Sequence, residues 1–115
     1  LKSVTVNYAV ASTDTSNDDL EIHILKQVIG ADGSAPTAAV LAGDHTDDYD
    51  DPHDTKAKRL AAATHTVTVT IPTDEQAFMA SGEEYSLRIY VKDASTANLA
   101  LTIYQAYATL SEVVI

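Results

Sequence analysis

Cysteine is missing from all 115 residues, which removes disulfides, thiolate zinc sites and a cysteine nucleophile from consideration. That absence leaves the redox compartment open, because secreted proteins can fold without disulfides. Tryptophan is missing too, so the aromatic stock is six tyrosines and Phe78. Only four glycines occur, and none forms a phosphate-cradling glycine loop. Basic residues are scarce: 7 Lys and Arg stand against 17 acids, a net charge of −10. Nucleic-acid binding draws most of its affinity from cations on phosphates, so this balance argues against it and against anionic membrane surfaces. The basic cluster Lys56, Lys58 and Arg59 follows an aspartate run and reads as its internal counter-charge. No apolar run approaches the ~18 residues that would span a bilayer, and no basic-then-apolar leader is seen. The chain opens on Leu1 rather than methionine, so a processed, trimmed or partial chain is expected and targeting is not judged.

What is present is alternation. Val4, Val6, Tyr8 and Val10 share one side of the first stretch, with Ser3, Thr5, Asn7 and Ala9 on the other. Leu20, Ile22 and Ile24 oppose Glu21 and His23, and Val67, Val69 and Ile71 oppose Thr64, Thr66, Thr68 and Thr70. Tyr85, Leu87, Ile89 and Val91 oppose Ser86, Arg88, Tyr90 and Lys92, and Leu99, Leu101 and Ile103 oppose Ala100, Thr102 and Tyr104. A two-residue period with one polar side suits an antiparallel sheet that packs on one face and is wet on the other. A hydrophobic fraction of 45% is ordinary for a globular chain, and the length fits one core. The sequence therefore predicts a single all-β domain over 1–115, an antiparallel β-sandwich of jelly-roll-like type with one or two short helical turns.

Punctuation between the strands agrees. Residues 12–19 form a turn-rich loop, Asp32-Gly33 is a turn signal, and 93–98 separates two strands that read as a hairpin. Residues 36–42 fit either a short edge strand or a helical turn. The stretch 54–63 holds helix formers behind an aspartate suited to an N-cap. Thr73 to Gln76 matches a capping box, with Gly82 as a stop. The apolar end Val113-Val114-Ile115 is expected to close a last strand, the alternatives being contact with another subunit or a continuation of the chain.

The most unusual segment is 44–54, where six carboxylates and two histidines fall within eleven residues. Asp44, Asp47, Asp48, Asp50, Asp51 and Asp54 are candidate ligands for calcium, a hard cation that takes several oxygens from a flexible loop. The glycine and terminal glutamate of an EF-hand are missing, and the alternative is a solvated acidic loop. His45, His53 and His65 lack the spacing of a zinc set. His65, in phase with Val67, reads as a strand-end residue beside the core. No catalytic motif emerges: there is no G-x-S-x-G elbow, no H-E-x-x-H, and Glu83-Glu84 are adjacent rather than opposed across a cleft. The chain is expected not to be an enzyme. Tyr90, Tyr104 and Tyr107 are candidates for an interface or a glycan-binding surface, because tyrosine is enriched at both. The threonine row 64–70 reads as β-propensity on an exposed face.

The runs Leu1 to Tyr8, His65 to Pro72, Gly82 to Leu87 and Leu101 to Tyr104 come in this order, with an Asp/His/Thr-rich stretch ahead of Arg59. In this the chain resembles phage-type virion structural proteins, the small β-sandwich modules of capsid-associated and fibre proteins. The resemblance implies a bacteriophage capsid decoration or fibre module at the virion surface, often a homotrimer, that attaches to other virion proteins and carries no catalytic residues. The competing expectation is a carbohydrate-binding or adhesive β-sandwich, with calcium at the acidic loop.

Overall fold

The alternating segments become strands whose apolar sides face each other. In the computed structural model, which describes residues 1–14, 16–28, 37–73, 83–93 and 99–110, six strands occur. They are β1 (Ser3–Ser12), β2 (Asp19–Val28), β3 (Thr37–Ala42), β4 (Ala63–Thr70), β5 (Glu83–Lys92) and β6 (Ala100–Thr109). All pairings are antiparallel, in two three-stranded sheets of order β4-β1-β6 and β3-β2-β5. The fold is thus mostly β and sandwich-like, with the sheets left unclosed. One short helix, α1 (Lys56–Leu60), lies between β3 and β4.

The central strands supply most of the core. Val4, Val6, Tyr8 and Val10 of β1 and Leu20, Ile22 and Ile24 of β2 are buried, joined by Val67, Val69, Ile71 and Leu60. Their facing sides are the ones the alternation marks as apolar. Ser3 and Thr5 are buried on the opposite side of β1, since a middle strand has a neighbour on both flanks. Thr5 sits between Thr68 and Tyr107, with its hydroxyl 3.0 Å from that of Thr68.

Several expectations sharpen or change. Residues 37–42 are an edge strand, not a helical turn. The helix in 54–63 is capped by Thr55, whose hydroxyl accepts from the Lys58 amide, rather than by Asp54. The last two strands are not a hairpin: β5 pairs with β2 and β6 with β1, so the chain crosses from one sheet to the other between them. Each of the two central strands thereby gains a second neighbour, which a local hairpin would have denied both. Strand β6 also runs on to Thr109, because a bulge at Tyr104, between the pairs Asn7–Gln105 and Tyr8–Ile103, resets its alternation. The expected Asp-Gly turn, the capping box beyond Thr73 and the closing strand at 113–115 lie outside the described residues.

Candidate functional site

Two regions depart from a plain sandwich: the strap from Gly43 to Ala62 that joins β3 to β4, and the opposite side, where β5 and β6 are the edges. Strand β3 pairs with β2 only as far as Ile24, which leaves the backbone of Leu20 and Ile22 without a strand neighbour on that flank. Buried backbone groups must find partners. The strap supplies them. The Tyr49 hydroxyl accepts from the Ile22 amide at 2.9 Å and donates to the Gly43 carbonyl at 2.7 Å. The Arg59 Nε donates to the Leu20 carbonyl at 2.8 Å, and its Nη1 donates to the His53 carbonyl at 3.1 Å. The guanidinium carbon lies 4.1 Å from the centre of the Tyr49 ring, a cation–π contact that lets the buried cation lie among apolar neighbours.

The strap also serves the other sheet. Tyr49 bridges to Val69 of β4, the Asp50 amide donates to the Thr68 carbonyl at 3.0 Å, and the Thr68 amide donates to Asp50 Oδ1 at 2.9 Å. Asp50 Oδ2 meets His53 Nδ1 at 2.8 Å, His53 Nε2 meets His65 Nδ1 at 3.0 Å, and His65 Nε2 meets the Ala61 carbonyl at 2.7 Å. The carbonyl at one end of this chain can only accept, and the two imidazoles link it to the Asp50 carboxyl. Tyr8 stacks on His65 with ring centres 4.9 Å apart and donates to the Arg59 carbonyl at 2.6 Å. Burial pushes the phenols of Tyr8 and Tyr49 above their ordinary range, although Arg59 pulls both down.

Among the expected calcium ligands, Asp44, Asp48, Asp50 and Asp54 have separate partners, and no three of them converge. Asp48 Oδ2 accepts from the Gly43 amide at 2.9 Å and the His45 amide at 3.3 Å. Asp54 binds the Lys58 ammonium at 2.7 Å, and that bond lowers its pKa. Asp44 lies 3.7 Å from the exposed His45, and Asp47 and Asp51 face solvent. No three His, Asp or Glu side chains come together as a metal-holding group among the described residues. Within the acidic segment, backbone amides, a histidine and a lysine hold Asp48, Asp50 and Asp54 separately, and the segment seals the sheet edges. Of the three histidines, His53 and His65 meet and His45 stands apart. His65 is where the alternation puts it, at the core end of β4.

No protein-family model, curated protein or solved structure matches this chain. Among the described residues no helix is long and apolar enough to cross a membrane.

The other side of the sandwich is open. Between β5 and β6 lies a cleft of about 210 Å³ lined by Leu1, Val4, Ile24, Leu87, Ala106 and Ala108, with Tyr85, Ser86 and Tyr107. Its origin is local: Ala106 and Ala108 occupy the positions paired with Val6 and Val4, where larger side chains would fill the space. Along β6, Ile103 is 44% exposed, Tyr107 46% and Tyr104 66%. The three candidate tyrosines do not form one platform. Tyr90 pairs with Glu21 on the outer face of one sheet, Tyr107 pairs with Thr5 on the outer face of the other, and Tyr104 is the bulge residue. Sequence reasoning missed Tyr49, Arg59 and the His53–His65 contact. A large aromatic and a buried-type arginine inside an otherwise polar run were the available signals.

Proposed function

We propose that this chain is a non-catalytic assembly module, a virion structural protein that decorates a capsid or forms part of a fibre by associating with copies of itself and with other particle proteins. The observation that carries the assembly reading is the β5–β6 side, where an apolar cleft and the exposed Ile103, Tyr104 and Tyr107 of β6 adjoin a strand edge that no described strand pairs with. Apolar surface of this kind, set against a polar remainder, marks interaction sites. The particle setting and surface location rest on the resemblance of the strand runs to phage-type virion modules. The jelly-roll-like form belongs to the same proposal, which the two antiparallel three-stranded sheets support in part. Light scattering at micromolar concentration tests assembly. A mass of a small multiple of the 12.2 kDa chain is expected, and a monomer would refute it. Antibody labelling of purified particles tests the setting.

A carbohydrate-binding reading draws on Tyr85 at the cleft, since aromatic rings stack on sugars. A glycan array decides it, with binding expected to weaken in Tyr85→Ala and an empty array removing the reading.

A further inference from the structure

Edge strands expose unpaired backbone groups, and proteins blunt them with charge, shortness, bulges or cover. The four edges here are treated differently. β4 is covered by Tyr49 and Asp50 of the strap. β3 has only six residues. β5 carries Glu83, Glu84, Arg88 and Lys92, with Lys26 paired to Glu83 at 3.0 Å. β6 is ten residues long, its side chains are exposed apart from the half-buried Leu101, and it carries no charge. The charge-free run extends well past the strand, from Ala94 to Ser111, in a chain of net charge −10. Among the described residues the only blunting device on the outer edge of β6 is the bulge at Tyr104, which leaves Gln105 to Thr109 as its longest regularly paired run.

We infer that the free edge of β6 pairs antiparallel with β6 of a second copy, about a two-fold axis at Tyr107, so that the two β4-β1-β6 sheets become continuous. This deepens the assembly reading above and rests on it. The occupant follows from charge. Two copies this acidic repel over most of their surfaces, and the neutral β6 edge lies on the far side of β1 from the acidic strap, where approach is least opposed. The register follows from the bulge. The register that pairs the whole run 105–109 with itself puts Tyr107 opposite its own copy, Ala106 opposite Ala108 and Gln105 opposite Thr109. A symmetric contact of this kind uses the same patch twice and closes as a dimer, in place of the trimer that the virion resemblance implies. The added strand also lies beside the mouth of the cleft, whose lining includes Ala106, Tyr107 and Ala108.

Charge reversal at the axis tests it. Like charges directly opposed across strands are destabilising and opposite charges favourable. Tyr107→Lys alone and Tyr107→Glu alone are expected to be monomeric by analytical ultracentrifugation with the wild-type circular dichroism spectrum, and their mixture is expected to restore a dimer. Because the protein has no cysteine, Tyr107→Cys offers a second arm. Opposed residues lie within disulfide reach, so mild oxidation should give a covalent dimer, while Tyr90→Cys on β5 should stay monomeric on denaturing gels. A wild-type dimer or trimer that neither charge variant disturbs and Tyr107→Cys does not trap overturns the pairing and leaves the assembly reading standing. A wild-type monomer removes both. If the charge variants fail to fold, the cysteine arm decides alone.

Discussion

At the scale of single residues, Gly43 marks the turn from β3 into the strap. Its φ is +103°, and a β-carbon there would sit 1.9 Å from the Ile22 carbonyl oxygen. Both the backbone conformation and the space demand glycine. Gly43→Ala should therefore cost at least ~2 kcal/mol in urea unfolding, a large effect for one methyl group. Tyr49→Phe should cost roughly 1–3 kcal/mol by the same measurement, because the Ile22 amide and the Gly43 carbonyl lose their partner in a buried place. For the Asp50–His53–His65 chain the informative pair is Asp50→Ala and Asp50→Asn. The alanine should cost about 1–3 kcal/mol by stranding the Thr68 amide and His53. The asparagine should cost markedly less, since its oxygen can still accept from Thr68 and its amide nitrogen can donate to a neutral His53. Alkaline pH provides a further check. Tyr8 and Tyr49 hold their protons more tightly when folded than when unfolded, so the folded state binds more protons above the ordinary tyrosine range. Their contribution is complete below about pH 10 and declines as pH rises beyond it. Absorbance at the tyrosinate band should show two of the six tyrosines ionising only as the protein unfolds.

At the scale of elements, the strap is a substitute for strand pairing. It satisfies Leu20 and Ile22 with two side chains and Thr68 with a short backbone bridge. Because no three of the described carboxylates converge, millimolar calcium should leave the thermal midpoint unchanged; a clear rise would favour the cation reading. How far these elements were readable from sequence follows from where their determinants lie. β1, β2 and β4 announce themselves because each has a buried side and a wetter one, and β5 because its sequence alternates although none of its residues is fully buried. β3 was ambiguous because Thr37 to Ala42 lacks a two-residue period, and β6 was truncated because the bulge at Tyr104 shifts the period by one. The hairpin expectation failed because short spacing tells which strands are near in sequence, not which sheet each joins. The strap network was invisible because its partners are far apart along the chain, Tyr8 with Arg59 and Asp50 with Thr68. An acidic run looks the same whether its carboxylates cap amides or bind an ion.

At the scale of the molecule, charge and shape divide it in two. One side is closed by the acidic strap, and the other presents the cleft and an uncharged strand. Association between copies of net charge −10 works against mutual repulsion, and salt screens it, with a Debye length of about 10 Å at 0.1 M. Self-association should therefore tighten as salt rises from about 0.01 to 0.15 M in sedimentation experiments. Weakening over that range would mean that ion pairs rather than apolar and backbone contacts hold the copies together.

The bridge of Tyr49 and Asp50 to β4 carries one more consequence. A sheet with two bare margins invites indefinite lateral growth, the geometry of fibrils. Here one margin of the β4-β1-β6 sheet is already occupied by the chain's own backbone, so recruitment along β6 halts after one addition. The joint ribbon ends at a strap on both flanks, and its size is finite by construction.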